Sequence, residues 1–256
     1  MTRTIVAIYF SFIAISTSAA WNDRPILLSE NNEYGGQTVE YKSLDYSYIR
    51  EYFDMNGERV KVERFFSSEY PIANGLEKRI AYFKSDKKIK EEKIFTVERA
   101  KLTMIVRSVE HFDGLSGDRT RREEYYTRNY MGYSILFYKG GKKDRIERFY
   151  PNRNMGIVKS IGYIDEGGNE RKTVHYFAYG TSLEDGFYKR IYYKKYNYNK
   201  YLRKYRQEWF YTDEYAKSNG NIHRKLERFL YSQTGGMVVQ TNFFDIHDKL
   251  IEVPNR

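Results

Sequence analysis

Polar and apolar residues alternate with a period of two along most of this chain. From Val60 to Phe66 one set comprises Val60, Val62, Arg64 and Phe66, and the other Lys61, Glu63 and Phe65. Around Ile146 the sets are Asp144, Ile146, Arg148 and Tyr150 against Arg145, Glu147 and Phe149. A period of two puts successive side chains on opposite faces of a strand. The runs are bounded by Asn56-Gly57, Asn74-Gly75, Gly140-Gly141, Gly167-Gly168-Asn169, Asp185-Gly186, Asn219-Gly220 and Gly235-Gly236. Gly and Asn meet the positive φ that tight hairpin turns demand. Turn signals recur about every 12–20 residues, the rhythm of hairpins rather than of strand–helix–strand units.

One signature repeats: an aliphatic residue, Glu, Arg, then aromatics. It stands at Val62-Glu63-Arg64-Phe65-Phe66, Ile146-Glu147-Arg148-Phe149-Tyr150 and Leu226-Glu227-Arg228-Phe229-Leu230, with looser forms at Arg122–Tyr126 and Glu208–Tyr211. Both faces of these strands mix aromatic and charged residues, whereas a two-sheet sandwich needs a dry face and a wet one. The fold expected is all-β: a meander of about seven degenerate hairpin repeats. It forms an extended, twisted or curled antiparallel sheet held by cross-strand ladders of rings and ion pairs. Each hairpin then buries surface mainly against its neighbours in sequence. A closed barrel or propeller-like sheet is the alternative.

The Tyr-Phe-Asp-x-Asn-Gly pattern at Tyr52 to Gly57, followed by a charged strand ending in aromatics, resembles MORN-type hairpin repeats. It is most similar to the divergent variants of exported bacterial proteins and antitoxin-like proteins. The resemblance runs from about Ile49 to Phe244, without most of the usual MORN glycine and tryptophan positions and with longer, uneven spacing. It implies a scaffold or binding surface, in some members one that contacts anionic lipids.

The first twenty residues differ from the rest. Arg3 is a short positive region, Ile5 to Ile15 is apolar apart from Tyr9 and Ser11, and Ser16 to Ala20 are small. That is the pattern of a secretory signal peptide cut after Ala20, with an apolar stretch too short to span a bilayer. An uncleaved amphipathic or anchoring helix is the other reading. The expected organisation is a signal peptide at 1–20, a lead-in segment at 21–48 and the hairpin-repeat domain at 49–256. Zero cysteine excludes disulfides, thiol catalysis, Cys-based metal sites and a lipobox anchor, and no Asn-x-Ser/Thr sequon occurs. A secreted or periplasmic bacterial protein fits these absences. No later stretch is apolar for long enough to be a transmembrane helix.

Catalytic motifs are missing. His111, His175, His223 and His247 have no metal-ligand spacing, and no Walker loop, GxSxG or GxGxxG turn precedes a helix. Glu91-Glu92 and Glu123-Glu124 are strand neighbours that point to opposite faces, so they read as solvated cross-strand ion-pair partners rather than as an acid–base pair. The reading is no catalytic residue, no metal and no cofactor. The alternative is a secreted, hydrolase-like enzyme whose site is assembled from several hairpins.

Charge then singles out one segment. The chain carries 44 Lys+Arg against 34 Asp+Glu, and from Phe187 to Arg206 basic residues interleave with aromatics and no acid occurs. Rings are platforms for sugars, and Lys/Arg beside them attract anions. The candidate ligand-binding residues are Tyr192, Tyr193, Tyr196 and Tyr198 as platforms, with Lys194, Lys195, Lys200 and Arg203 as anion contacts. The structural alternative is a strand–turn–strand with its turn at Asn197-Tyr198-Asn199. The second basic cluster, Lys84 to Lys93, reads as a solvated hairpin. The partner expected is an anionic glycan, a lipid headgroup or an acidic protein. Nucleic acid is not expected of an exported chain. An outer-membrane barrel is disfavoured because charges interrupt both faces of most strands.

Overall fold

A computed structural model describes residues 26–43, 47–67, 75–127, 132–151, 156–178, 186–196, 202–231 and 237–252, with backbone alone at 26–28, 196 and 202. The expected signal peptide lies outside the described residues, as do Asn74, Asp185, the Gly235-Gly236 turn and the Asn197–Asn199 turn.

Strands β1 (Ile26–Asn31), β2 (Gly35–Tyr41), β3 (Tyr48–Asp54), β4 (Arg59–Phe65), β5 (Leu76–Lys84) and β6 (Lys87–Phe95) lead to helix α1 (Val97–Thr103). Then come β7 (Ile105–Phe112), β8 (Arg119–Tyr126), β9 (Tyr133–Lys139), β10 (Lys142–Phe149), β11 (Ile157–Ile164) and β12 (Glu170–Phe177). The chain continues through β13 (Phe187–Tyr196), β14 (Leu202–Tyr211), helix α2 (Asp213–Ser218), β15 (Arg224–Tyr231), β16 (Met237–Phe244) and β17 (Leu250–Ile251). Consecutive strands pair antiparallel from β1 through β17. The result is one 17-stranded meander that does not close into a barrel. Every substantial contact between elements joins neighbours along the chain, so the sheet is a single layer. Segment 21–48 contributes its first hairpin, β1–β2, hydrogen-bonded to β3.

The turns explain the hairpins. Asp54 accepts hydrogen bonds at one carboxylate oxygen from the N–H groups of Asn56 and Glu58, both at 2.9 Å, while Gly57 between them takes φ 77°. Asn32 holds the β1–β2 turn in the same way, and Asp245 the β16–β17 turn. Such side-chain capping replaces backbone pairing that a turn gives up. The β5–β6 turn lacks glycine, and Ser85 and Asp86 themselves adopt positive φ.

Because directly paired residues share a face, continuous rows of side chains cross the sheet. On one face, here the Glu63 face, the central row in β2–β8 reads Glu40, Arg50, Glu63, Ile80, Glu92, Val109 and Glu123. In β10–β16 it reads Glu147, Ile161, Val174, Ile191, Glu208, Leu226 and Asn242. On the other face, the Glu91 face, the rows are Val39, Glu51, Val62, Ala81, Glu91, Glu110 and Arg122, then Ile146, Gly162, Thr173, Tyr192, Gln207, Glu227 and Thr241.

These rows align position for position, with Glu40, Ile80, Glu92 and Glu110 matched by Glu147, Ile191, Glu208 and Glu227, and their surroundings align too. Gly75-Leu-Glu-Lys78-Arg79-Ile80-Ala81-Tyr82 parallels Gly186-Phe-Tyr-Lys189-Arg190-Ile191-Tyr192-Tyr193. Phe95-Thr96-Val-Glu-Arg99-Ala100-Lys101 parallels Tyr211-Thr212-Asp-Glu-Tyr215-Ala216-Lys217. Thr96 and Thr212 cap α1 and α2 by accepting from the N–H of Arg99 and Tyr215. Their own N–H groups bond to the carbonyls of Gly75 and Gly186 at 2.9 and 2.8 Å, and Ala100 and Ala216 are the buried residue of each helix. The sheet is two copies of one eight-strand unit. The duplication also explains the third signature. Glu227 lies on the Glu91 face as the counterpart of Glu110, whereas Glu63 and Glu147 lie on the opposite face.

The central rows hold the burial. Val62, Ala81 and Val109 are nearly inaccessible, and so are Glu51, Glu63, Glu91, Glu92, Glu110 and Glu208. Glu91 and Glu92 do face opposite ways, but they are buried rather than solvated, at 1 % and 7 % exposure. In a wide single sheet the long Lys, Arg and aromatic side chains of the outer rows lie down over the centre and cover it. Each acid then needs cations. On the Glu63 face, Glu63 takes Lys61 and Lys78, Glu92 takes Lys90 and Arg107, Glu147 takes Arg145 and Lys159, and Glu208 takes Arg206 and Arg224. Most of these cations also sit over a ring, as Lys61 does over Tyr52 at 4.3 Å and Arg145 over Phe137 at 4.2 Å.

Candidate anion-binding face

The eight sequence-predicted residues divide between surfaces. On β13, Tyr192 and Lys194 point to the Glu91 face, and Tyr193 and Lys195 to the Glu63 face, because strand side chains alternate. Arg203 lies opposite Lys195 in the ladder, its guanidinium 5.2 Å from the Tyr231 ring centre. Tyr196 has a placed backbone only, and Tyr198 and Lys200 lie outside the described residues. The rings that are placed carry cations of this chain. Arg206 and Lys172 stand 4.9 and 5.6 Å from the centre of Tyr193, and Arg190 and Lys204 stand 4.8 and 5.6 Å from that of Tyr192.

The Glu91 face gives these cations their meaning, because the duplicated unit supplies a reference. In the first copy Glu91 is held by Arg79 at 2.6 Å, Lys88 at 2.7 Å and Lys93 at 3.2 Å. Burial pushes its carboxyl up, but the hydrogen bonds from Arg79 and Lys88 prevail and hold it at about 2. In the second copy Arg190 replaces Arg79, Lys204 replaces Lys88, Trp209 replaces Lys93, and neutral Gln207 replaces Glu91. Lys204 donates to Gln207 Oε1 at 2.6 Å. Neither Arg190 nor Lys204 has a carboxylate within 4.0 Å among the described residues. Burial lowers the Lys204 ammonium and Arg190 adds to that, against the pull of Glu227.

Loss of an acid from this row is otherwise made good. Glu51 of the first copy corresponds to Gly162, and Arg59, whose guanidinium lies 3.9 Å from Glu51, corresponds to Glu170. The Glu170 carboxylate occupies the space that a side chain at Gly162 would fill; a Cβ there would lie 2.3 Å from its Oε2. There it accepts from Thr173 at 2.6 Å and pairs with Arg148 at 3.0 Å and Lys194 at 4.0 Å. A carboxylate lost from the strand centre is replaced from the strand end. At Gln207 no such replacement is present among the described residues.

His175 completes the neighbourhood. It faces Arg190 across the ladder, and its ring lies 5.2 Å from that of Tyr192. Its Nδ1 is buried without a hydrogen-bond partner. Burial first, then Arg190, lowers its pKa to about 4, so it is neutral at pH 7. Sequence reading placed His175 as a strand residue or turn neighbour and passed over Arg190 and Lys204 within the basic segment and Gln207 just after it. Aligning the two copies, with five extra residues allowed in the second hairpin, is the signal that finds them.

A cleft of about 560 Å³ opens beside α2, lined by Tyr188, Asp213, His223, Arg224, Asp245 and Asp248 among others. Its charged groups are engaged: Arg224 with Asp248 at 3.1 Å, His223 with Asp213 at 3.5 Å, and Asp245 in its own turn. Among the described residues no cluster of His, Asp or Glu could hold a metal ion, and no helix is long and apolar enough to cross a membrane. No model of a known family matches the sequence, and no curated protein is found to be similar to it.

Proposed function

We propose that this chain is an exported binding or scaffold protein, without catalytic activity, that presents the basic, tyrosine-rich part of its second copy to an anionic partner. The observation that carries the reading is the loss of Glu91 from the duplicated site while two of its cations, as Arg190 and Lys204, remain. A cation row stripped of its internal acid keeps an outward field for an external one. The open single-layer sheet, with both faces available, suits a scaffold, as the MORN resemblance implies. The leader-like first twenty residues support export to the periplasm or beyond.

The test uses the chain without residues 1–20 on arrays of acidic and neutral glycans and of anionic and neutral vesicles, at low and high salt. Binding restricted to acidic ligands and weakened by salt is expected. Changing Lys194, Lys195, Lys200 and Arg203 together to Ser should weaken it and flatten the salt dependence. Binding and salt slope that survive that change unaltered overturn the assignment of this segment.

A further inference from the structure

We infer that the second copy contains a built carboxylate site, formed by Arg190, Lys204, Gln207 and Tyr192, whose ligand is the uronate group of an acidic glycan. The inference rests on the proposed anionic partner and specifies its chemistry and its seat.

The first copy shows what these positions hold when complete. Arg79 and Lys88 converge on one oxygen of Glu91, Oε2, at 2.6 and 2.7 Å. That arrangement of a guanidinium and an ammonium around one carboxylate is retained in sequence and ladder position as Arg190 and Lys204. The carboxylate between them has become an amide. Its successor, Gln207, is 4 % exposed and is fixed by Lys204, so the amide continues the floor of the site without neutralising it. Phosphate or sulfate would meet the same two charges; a carboxylate is favoured because Arg79 and Lys88 hold one at the corresponding positions of the first copy.

The remaining changes favour a sugar carrying that group over an acidic peptide. Ala81 has become Tyr192, which brings a half-buried ring and a hydroxyl between the two cations. Lys93 has become Trp209, paired directly with Arg190. An indole, with Lys225 4.7 Å from its ring centre, thus stands where a lysine did, and a phenol where a methyl did. An acidic peptide is met by charge alone; a pyranose with a carboxylate is met by rings, an amide and a hydroxyl beside the charges. Thr173, next to Tyr192 in the row, already donates to Glu170. Two acids of this face are thus engaged: Glu170 with Arg148 and Lys194, and Glu227, opposite Gln207 in the row, with Lys225 at 2.8 Å.

The deciding variant is Gln207→Glu, which returns to the second copy the acid of the first. The full chain without residues 1–20 is titrated calorimetrically with a galacturonate oligomer, with the uncharged galactose oligomer of equal length, and with poly-glutamate. Wild type should bind the galacturonate oligomer alone, and Gln207→Glu should weaken that binding at least about tenfold. Circular dichroism and a thermal midpoint equal to or above wild type show that the variant is folded. Lys204→Met should weaken binding to a similar degree without supplying an acid, which covers the case of a Gln207→Glu chain that folds poorly. Unchanged binding in either folded variant overturns the site. Equal binding of the neutral oligomer overturns its charge selectivity, and preferential binding of poly-glutamate overturns the glycan. If binding responds to the serine changes at Lys194, Lys195, Lys200 and Arg203 but not to Gln207→Glu, this site fails while the broader function stands. If wild type binds no anionic ligand at all, both fail.

Discussion

Replacing Glu91 with Gln converts the acid site of the first copy toward the composition of the second, and its cost can be worked from the structure. Glu91 is held at about 2 against an ordinary 4.5. At 1.36 kcal/mol per unit, the full difference corresponds to about 3.4 kcal/mol of preference for the charged form in the folded chain. The side chains of Arg79, Lys88 and Lys93 are 35 %, 34 % and 28 % exposed, so solvent screens part of this, leaving about 2 kcal/mol. Lys93 keeps Glu110 at 3.5 Å, but Arg79 and Lys88 would face a neutral amide and each other. Glu91→Gln is therefore expected to lower stability by about 2 kcal/mol, or the melting midpoint by about 4–8 °C for a chain of this size. The sign with pH follows from a folded pKa below the unfolded one. The Glu91 contribution is complete above about pH 5 and fades as pH falls toward 2. Urea midpoints measured from pH 7 to pH 3 should converge for wild type and variant in acid, and added salt should narrow the gap at neutral pH. A variant as stable as wild type at pH 7, with the same acid slope, would refute the view that buried acids organise these rows.

Three further outcomes are expected. Gly186→Ala combines φ 67° with a Cβ placed 1.9 Å from the Tyr215 ring, so it should detach α2 and lower stability by about 2–4 kcal/mol; a thermal midpoint within a degree or so of wild type would contradict that packing. His175, held at about 4 by burial and Arg190, should show ring proton resonances that do not move between pH 8 and pH 5.5, and its neutral-form stabilisation should be lost only as pH falls from about 6.5 toward 4; an ordinary titration near 6.5 would place it in solvent. Strand β16 carries no charged residue, exposes Met237, Val238 and Val239, and is covered by β17 only at Phe243 and Phe244. Val238→Lys should therefore reduce concentration-dependent self-association in light scattering, and unchanged scattering would show that this edge does not template pairing.

How much of this was legible in the sequence depended on whether the signal was local. Asn56-Gly57, Gly140-Gly141 and Gly167-Gly168 marked turns because φ above zero restricts residue type, and each stands between paired strands. The β5–β6 turn, with Ser85 and Asp86 at positive φ, carries no dipeptide of that kind; the β1–β2 turn has Gly35-Gly36 but lies in what reads as a lead-in segment. The face of each strand was also readable, since alternation alone separates Val62 from Glu63. Burial was not. Glu91 and Glu92 look solvated in a Lys-rich string, and only the register shows that Arg79, Lys93 and Arg107 come from three strands to cover them. The candidate patch suffered from the converse error. A linear run of rings and cations looks like one surface, yet β13 deals its members alternately to two faces.

The two copies sharpen what divergence means in such a sheet. A single layer has no thick apolar core to absorb substitutions; one fully buried apolar cluster is as small as Tyr41, Ile49 and Val62. Stability must come strand by strand from acids, cations and rings in register, so each acid removed from a row should bring a compensating change nearby. The exchange of the Glu51–Arg59 pair for Gly162 and Glu170 is such a change: the acid moved eight positions along the hairpin and the row kept its negative charge. The exchange of Glu91 for Gln207 is not, and on the other face neither is that of Glu63 for Val174, which keeps Lys172 and Lys189 where Lys61 and Lys78 stood. Arg190 kept its guanidinium and Lys204 its ammonium, and the third cation, Lys93, gave way to Trp209 rather than to a new acid. An uncompensated half-buried cation destabilises the copy that carries it. Retaining that cost in one copy, while the other shows the compensated solution, is what an external carboxylate at Arg190 and Lys204 accounts for.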